Sequence, residues 1–371
     1  MDGVTIVLWI VVGARFLVPL AIPRYPLPAV LACLVLDAAD QSIFQAFGYD
    51  PPGYQGYDKA MDVFYLAIAY LSTLRNWQEL SAYSVGRFLY FFRLVGVVAF
   101  ELSHVRMLLL IFPNTFEYFF IAYEAIRSRW APVLYKMRWW LTTAAVIWIF
   151  VKLPQEWWIH VAQLDFTDFM ADNSWAAPLL AALVVVAALV FWFVIKPRLR
   201  PADHGWRFAA DPLPEGMDRP EQGADWHARH SAVRSMATLE KVVLIGLISV
   251  IFAQTVPGVH TSNLQLFTAA GVVVVVNAGV ALFWARREVS FRSTVLLFGV
   301  RLLFNIAFVL VAELLLGGGK DRLDAGATFF FLVMISLLTT LHDRYYPVKA
   351  FRARALRAPA PGCPAPPSPP Q

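Results

Sequence analysis

The chain has 371 residues, of which 59% are hydrophobic and only 15% charged, whereas soluble domains carry about 25% charged residues. So few charges cannot cover a water-facing surface, and so much apolar content excludes disorder; a polytopic, all-α transmembrane bundle is what remains. The net charge of +5 lies between apolar runs, as cytoplasmic loops require, and no basic patch with interleaved aromatics offers nucleic acid a stacking platform.

A crossing helix needs about 20 mostly apolar residues. Eleven runs are predicted spans: 4–22, 27–47, 60–76, 80–101, 105–126, 138–153, 175–195, 240–257, 264–285, 293–316 and 326–342. Met1-Asp2-Gly3 has no basic n-region and no small-residue cleavage site follows, so the first run is expected to be a span rather than a signal peptide. In it, Arg15 is expected to snorkel to the cytoplasmic side with Arg24.

The second span contains Asp37, Asp40 and Gln41, spaced i, i+3, i+4 and so predicted on one helix face. Two carboxylates in low dielectric need a cation, a shared proton or an Arg from a neighbouring span. Asp62 begins the third span. The fourth carries Arg87 and Arg93 and ends in Glu101-Leu102-Ser103-His104, then Arg106; Glu-x-x-His is a spacing used by bundle metal sites. In the fifth, Pro113 should break the helix and free backbone carbonyls, with Glu117 and Glu124 beyond it and Arg93 a partner for Glu117.

The sixth span ends at Lys152. Segment 154–174, with Glu156, Trp157, Trp158, His160, Asp165 and Asp168, reads as a surface helix or re-entrant piece. Asp-x-x-Asp occurs at Asp37/Asp40, Asp165/Asp168 and Asp321/Asp324; such pairs chelate Mg²⁺ and hold a diphosphate. The 196–241 stretch is rich in Pro, Gly and charge and reads as a cytoplasmic linker with room for a short helix. In the tenth span Arg301 and Asn305 stand one turn apart, Arg301 being a partner for a carboxylate such as Asp37 or an anion contact. The tail 358–371 is Pro-rich and expected to be disordered.

Lys and Arg concentrate in loops 127–138, 196–241 and 286–292 and in the tail after 343, while loops 48–59, 154–174 and 258–263 are poor in them. The two sets alternate across eleven spans. The positive-inside rule therefore predicts an outside N-terminus and a cytoplasmic C-terminus. The predicted organisation is a seven-span unit (1–195), the linker (196–239), a four-span unit (240–342) and the tail (343–371), in a bacterial cytoplasmic (plasma) membrane. With this orientation Asp40, Asp62, Glu101, His104, Arg106, Lys152, Glu156, His160 and Asp165 map to the outer half, which predicts an outward-open polar cavity.

Cys33 and Cys363 are too few for a disulfide framework. No nucleotide-binding Gly-rich loop or nucleophile elbow occurs. Ionisable residues inside spans are functional candidates. The expected catalytic residues are Asp37, Asp40, His104 and His160, and the expected substrate contacts are Gln41, Arg106, Lys152 and Arg301. A divalent metal would fall to Asp37, Asp40, Glu101 and His104. These residues suit a membrane-embedded enzyme acting on an amphiphilic or lipid-linked substrate. The alternatives are a proton- or cation-coupled transporter using Asp37 and Asp40, and a non-catalytic membrane scaffold.

Overall fold

The structure, a computed structural model, describes residues 3–47, 54–162, 169–170, 172–291, 293–316 and 324–356. Most of the described residues are helical, with no strand among them. Among the described residues six helices are long and apolar enough to cross a membrane: Pro26–Ala46, Ala176–Arg198, Met236–Ala253, Asn263–Arg286, Thr294–Leu315 and Ala325–Ala355. Each matches one of the eleven expected spans. Asp165, Asp168, Asp321 and the tail from 357 lie outside the described residues.

The chain forms two compact units, Met1–Arg87 with Ala209–Gln371, and Phe88–Phe208. In the first unit, α1 (Gly3–Leu17) runs into a 3-10 turn, Val18–Ala21, and α2 (Pro26–Ala46) starts at a proline. That residue lacks the N–H that a helix start would leave unpaired. Next comes α3 (Tyr54–Asn76). Nearly every residue from Ala60 to Leu74 is buried, and α3 packs against α1, α2, α11 (Met236–Ala253) and α14 (Ala325–Ala355). A helix enclosed by helices needs no lipid-facing apolar surface. It can therefore carry Asp58, Lys59, Asp62, Ser72, Thr73 and Asn76 and still sit in the bundle.

The remaining helices of this unit are α10 (Pro220–His230), α12 (Asn263–Arg286) and α13 (Thr294–Leu316). The short linker helix α10 packs on α12 and α14. Buried amides stitch α12, α13 and α14 together: Asn277 Nδ2 donates to Asn305 Oδ1 at 2.6 Å, and Asn305 Nδ2 donates to Ser336 Oγ at 2.8 Å. Interhelical hydrogen bonds of this kind contribute about 0.6 to 1.7 kcal/mol. Asn305→Leu should therefore cost about 1 kcal/mol, read as a melting temperature lowered by a few degrees in detergent. At 31 residues, α14 spans about 46 Å, well beyond the roughly 30 Å hydrocarbon core. The expected span 326–342 is thus extended by a cationic end. There Arg352 donates to the carbonyl oxygens of Arg75 and Trp77 and so satisfies the last turn of α3.

In the second unit, α4 (Leu80–Ser103) enters from residue 88 and is followed by α5 (Met107–Ile111) and α6 (Thr115–Arg127). The α5–α6 break falls at Phe112-Pro113-Asn114, as Pro113 predicts. Gly96 of α4 lies against the Phe112 side chain so closely that a methyl would overlap it. Beyond α6, α7 (Met137–Val146), a wide π turn (Ile147–Lys152), α8 (Leu153–Glu156) and a second π turn (Trp157–Val161) follow without interruption. The sequence reading ended a span at 153 and began a separate surface segment at 154. The helical run instead continues to Val161: the wide π turn Ile147–Lys152 stands directly before Pro154, and the run passes through a residue that cannot join the regular backbone ladder. The strongly apolar α9 (Ala176–Val190), extended by a π turn, Phe191–Ile195, presents exposed side chains all round, as a lipid-facing helix does.

Candidate functional site

Two charged clusters with buried centres hold Asp37, Asp40, Lys152 and His160 of the expected residues. The first lies in the α1–α3 bundle. Arg15 Nη2 pairs with Asp37 Oδ1 and lies 3.4 Å from Asp62 Oδ1, while Nη1 pairs with Asp40 Oδ2 and lies 3.4 Å from Asp58 Oδ1. The Arg15 side chain is 3% exposed and that of Asp40 0%. Lys59 Nζ reaches Asp58 Oδ2 at 3.1 Å, and the Tyr57 ring lies 5.6 Å from the Arg15 guanidinium carbon. Asp37, Asp58 and Asp62 each offer a carboxylate oxygen, and these oxygens all lie within 4.8 Å of one another. Among these named groups four carboxylates face two cations, Arg15 and Lys59, an excess of two negative charges over a buried Asp40 and three half-buried aspartates.

Two sequence expectations fail here. Arg15 does not snorkel to the membrane edge; it turns inward because the carboxylates give a buried guanidinium its partners. Gln41 is exposed and does not share the carboxylate face. The inward stripe of α2 is Cys33, Asp37, Asp40 and Phe44, and residue 41 lies a further 100° round the helix from Asp40. Asp58 was missed because the third span was started at residue 60. The signal was the i, i+4 spacing of Asp58 and Asp62, which continues the helix backwards onto one face.

The second cluster gathers at the Pro113 break. The freed carbonyl of Phe112 accepts from Arg93 Nη1 at 2.9 Å, and the freed Asn114 N–H donates to Glu156 Oε1 at 3.1 Å. Charged side chains thus complete the backbone of a broken helix. Asn114 Nδ2 donates to Glu117 Oε2 at 2.9 Å. Lys152 Nζ, 3% exposed as a residue, lies 3.8 Å from Glu156 and 4.0 Å from Glu117. His160 Nε2 meets Glu156 Oε2 at 3.0 Å. Lys152 and His160, expected on chemistry alone, therefore meet on one carboxylate. The flanking π turns are a feature frequent at functional sites. Among these named groups two cations face two carboxylates, so this cluster is charge-balanced where the first is not.

Three expectations fall outside both clusters. Glu101 is buried in α4, but His104 lies one residue past its end, exposed, with left-handed backbone (φ 56°). The helix stops at Ser103, so the expected Glu101–His104 pair straddles the helix end, with Glu101 inside and His104 exposed beyond it. Arg106 is the half-buried N-cap residue of α5. Arg301 does not reach Asp37: it donates to Asp343 Oδ2 at 2.8 Å and Thr340 Oγ1 at 3.3 Å. Of the nine expected outer-half residues, Asp40 and Asp62 gather round Arg15 in the first unit, Lys152, Glu156 and His160 gather round the break in the second, His104 stands exposed and Asp165 lies outside the described residues. No family model, curated protein or solved structure matches the chain.

Proposed function

We propose that this protein is a membrane-embedded enzyme that uses a divalent cation, bound by Asp37, Asp58 and Asp62, to act on the anionic group of an amphiphilic or lipid-linked substrate. The observation that carries this reading is the convergence of three carboxylates from two helices beside Arg15. One divalent cation cancels the cluster's excess of two negative charges. Like charges gathered this closely round a buried guanidinium are costly to leave uncompensated. A cation there would hold and polarise phosphate oxygens, and Arg15 would orient the carboxylates. The finer topology belongs to the same proposal: eleven crossings in units of seven and four about the 196–239 linker, N-terminus outside, C-terminus in the cytoplasm of a bacterial cell. Its support is the alternation of basic and charge-poor loops.

The test is divalent-ion binding by purified full-length protein. About one Mn²⁺ per chain should bind, and Asp58→Asn or Asp62→Asn should weaken it at least about tenfold. Full-strength binding in both variants would overturn the assignment. The rival reading, a coupled transporter, is favoured by the broken helix at Pro113. There two protons would balance the same carboxylates. It is the better account if no metal binds and liposomes show flux driven by a pH gradient.

A further inference from the structure

A cavity of about 330 Å³ opens in the first unit beneath the linker helix α10 and against the ends of α12, α13 and α14. Its lining includes Arg75, Arg219, Arg301 and Arg344 but only two carboxylates, Asp218 and Asp343. One of these is already committed. Asp343 accepts from Lys241 Nζ at 2.5 Å as well as from Arg301 at 2.8 Å, and both cations are buried, Arg301 at 2% exposure. That triad carries one more positive than negative charge, so the wall of the cavity is cationic before Arg219 and Arg344 are counted. Trp284, Phe291 and Leu297 supply an apolar side.

The size is that of a small-ligand pocket rather than of a whole lipid. Forked guanidinium groups match phosphate oxygens two at a time, and the first turn of α10, from Pro220 to Gly223, lines the same space with the positive end of an 11-residue helix. Arg75 and Asp58 stand at opposite ends of α3, about 25 Å apart at 1.5 Å per residue, so this cavity is separate from the carboxylate cluster.

We infer that the cavity is a binding site for a phosphate-bearing group, either a soluble phosphate ester or the headgroup of an anionic lipid, held by Arg219, Arg344 and Arg301. Burial pushes the His227 imidazole on α10 below its usual range, so at neutral pH it meets the ligand as a neutral hydrogen-bonding ring. Arg344 also donates to the Phe291 carbonyl at 3.0 Å, which holds its side chain across the cavity wall.

The experiment uses full-length protein in phosphatidylcholine nanodiscs. It is titrated with inorganic phosphate, or reconstituted with phosphatidic acid and read by native mass spectrometry. Arg219→Gln and Arg344→Gln should each weaken binding about tenfold. Arg234→Gln, which removes the same charge from an exposed position outside the cavity, should leave it unchanged. Saturable phosphate binding with this pattern assigns the soluble source; retention of phosphatidic acid alone, with the same pattern, assigns the lipid. Binding of neither probe, equal binding in all variants, or an equal loss in Arg234→Gln overturns the site. Asp62→Asn should keep full phosphate binding, so failure here and failure of the metal proposal are read separately.

Discussion

Arg15→Met is expected to destabilise the protein by about 3 to 5 kcal/mol, because removing one partner of a buried ion pair strands the other's charge. Here one side chain serves four carboxylates, two in direct pairs and two at 3.4 Å. Asp40 has no water to fall back on at 0% exposure. The effect should read as a large drop in the unfolding midpoint of detergent-solubilised protein. Arg15→Lys should fall between, since an ammonium cannot fork to Asp37 and Asp40 together. Should Arg15→Met be too unstable to purify, membrane-inserted yield of Arg15→Met/Asp40→Asn carries the test. The double variant should recover part of the loss, because it removes the most buried of the stranded charges. A single variant as stable as the parent would show that these groups are not held as ion pairs.

Asp343→Asn should have the next largest effect, again about 3 to 5 kcal/mol, because it leaves two buried cations facing each other. Lys241 comes from α11, Arg301 from α13 and Asp343 from α14, so this carboxylate ties three helices. The loss should show as a lowered midpoint and as earlier proteolysis in the four-helix part of the chain. Removing a cation as well, in Asp343→Asn/Lys241→Met, should restore part of the stability. A double variant no better than the single would mean that repulsion between Lys241 and Arg301 is not the cause.

The clusters were legible residue by residue but not as assemblies. Asp37 and Asp40 stood out because charge inside an apolar run is costly wherever its partners are. Their partners were not readable: Arg15 and Asp58 come from other helices, and side-chain spacing rules reach only along one helix. The helix end between Glu101 and His104 was not readable for a related reason, since an apolar pattern does not say that the helix ends at Ser103. Pro113 succeeded because its effect is local and covalent. The groups that complete the break, Arg93 and Glu156, were named separately and joined only by the fold.

Composition already points to a lipid surrounding. With 59% hydrophobic and 15% charged residues, the chain reads as a membrane protein, and the six described helices apolar enough to cross a membrane lie where hydropathy put them. Hydropathy works there because the cost of moving each residue into lipid is a property of that residue and its near neighbours. That the polar α3 sits at the centre of its bundle, that Arg15 faces four aspartates and that Asp343 holds Lys241 and Arg301 emerges with the fold. A buried charge is set by the partner it finds, and these partners lie far away along the chain.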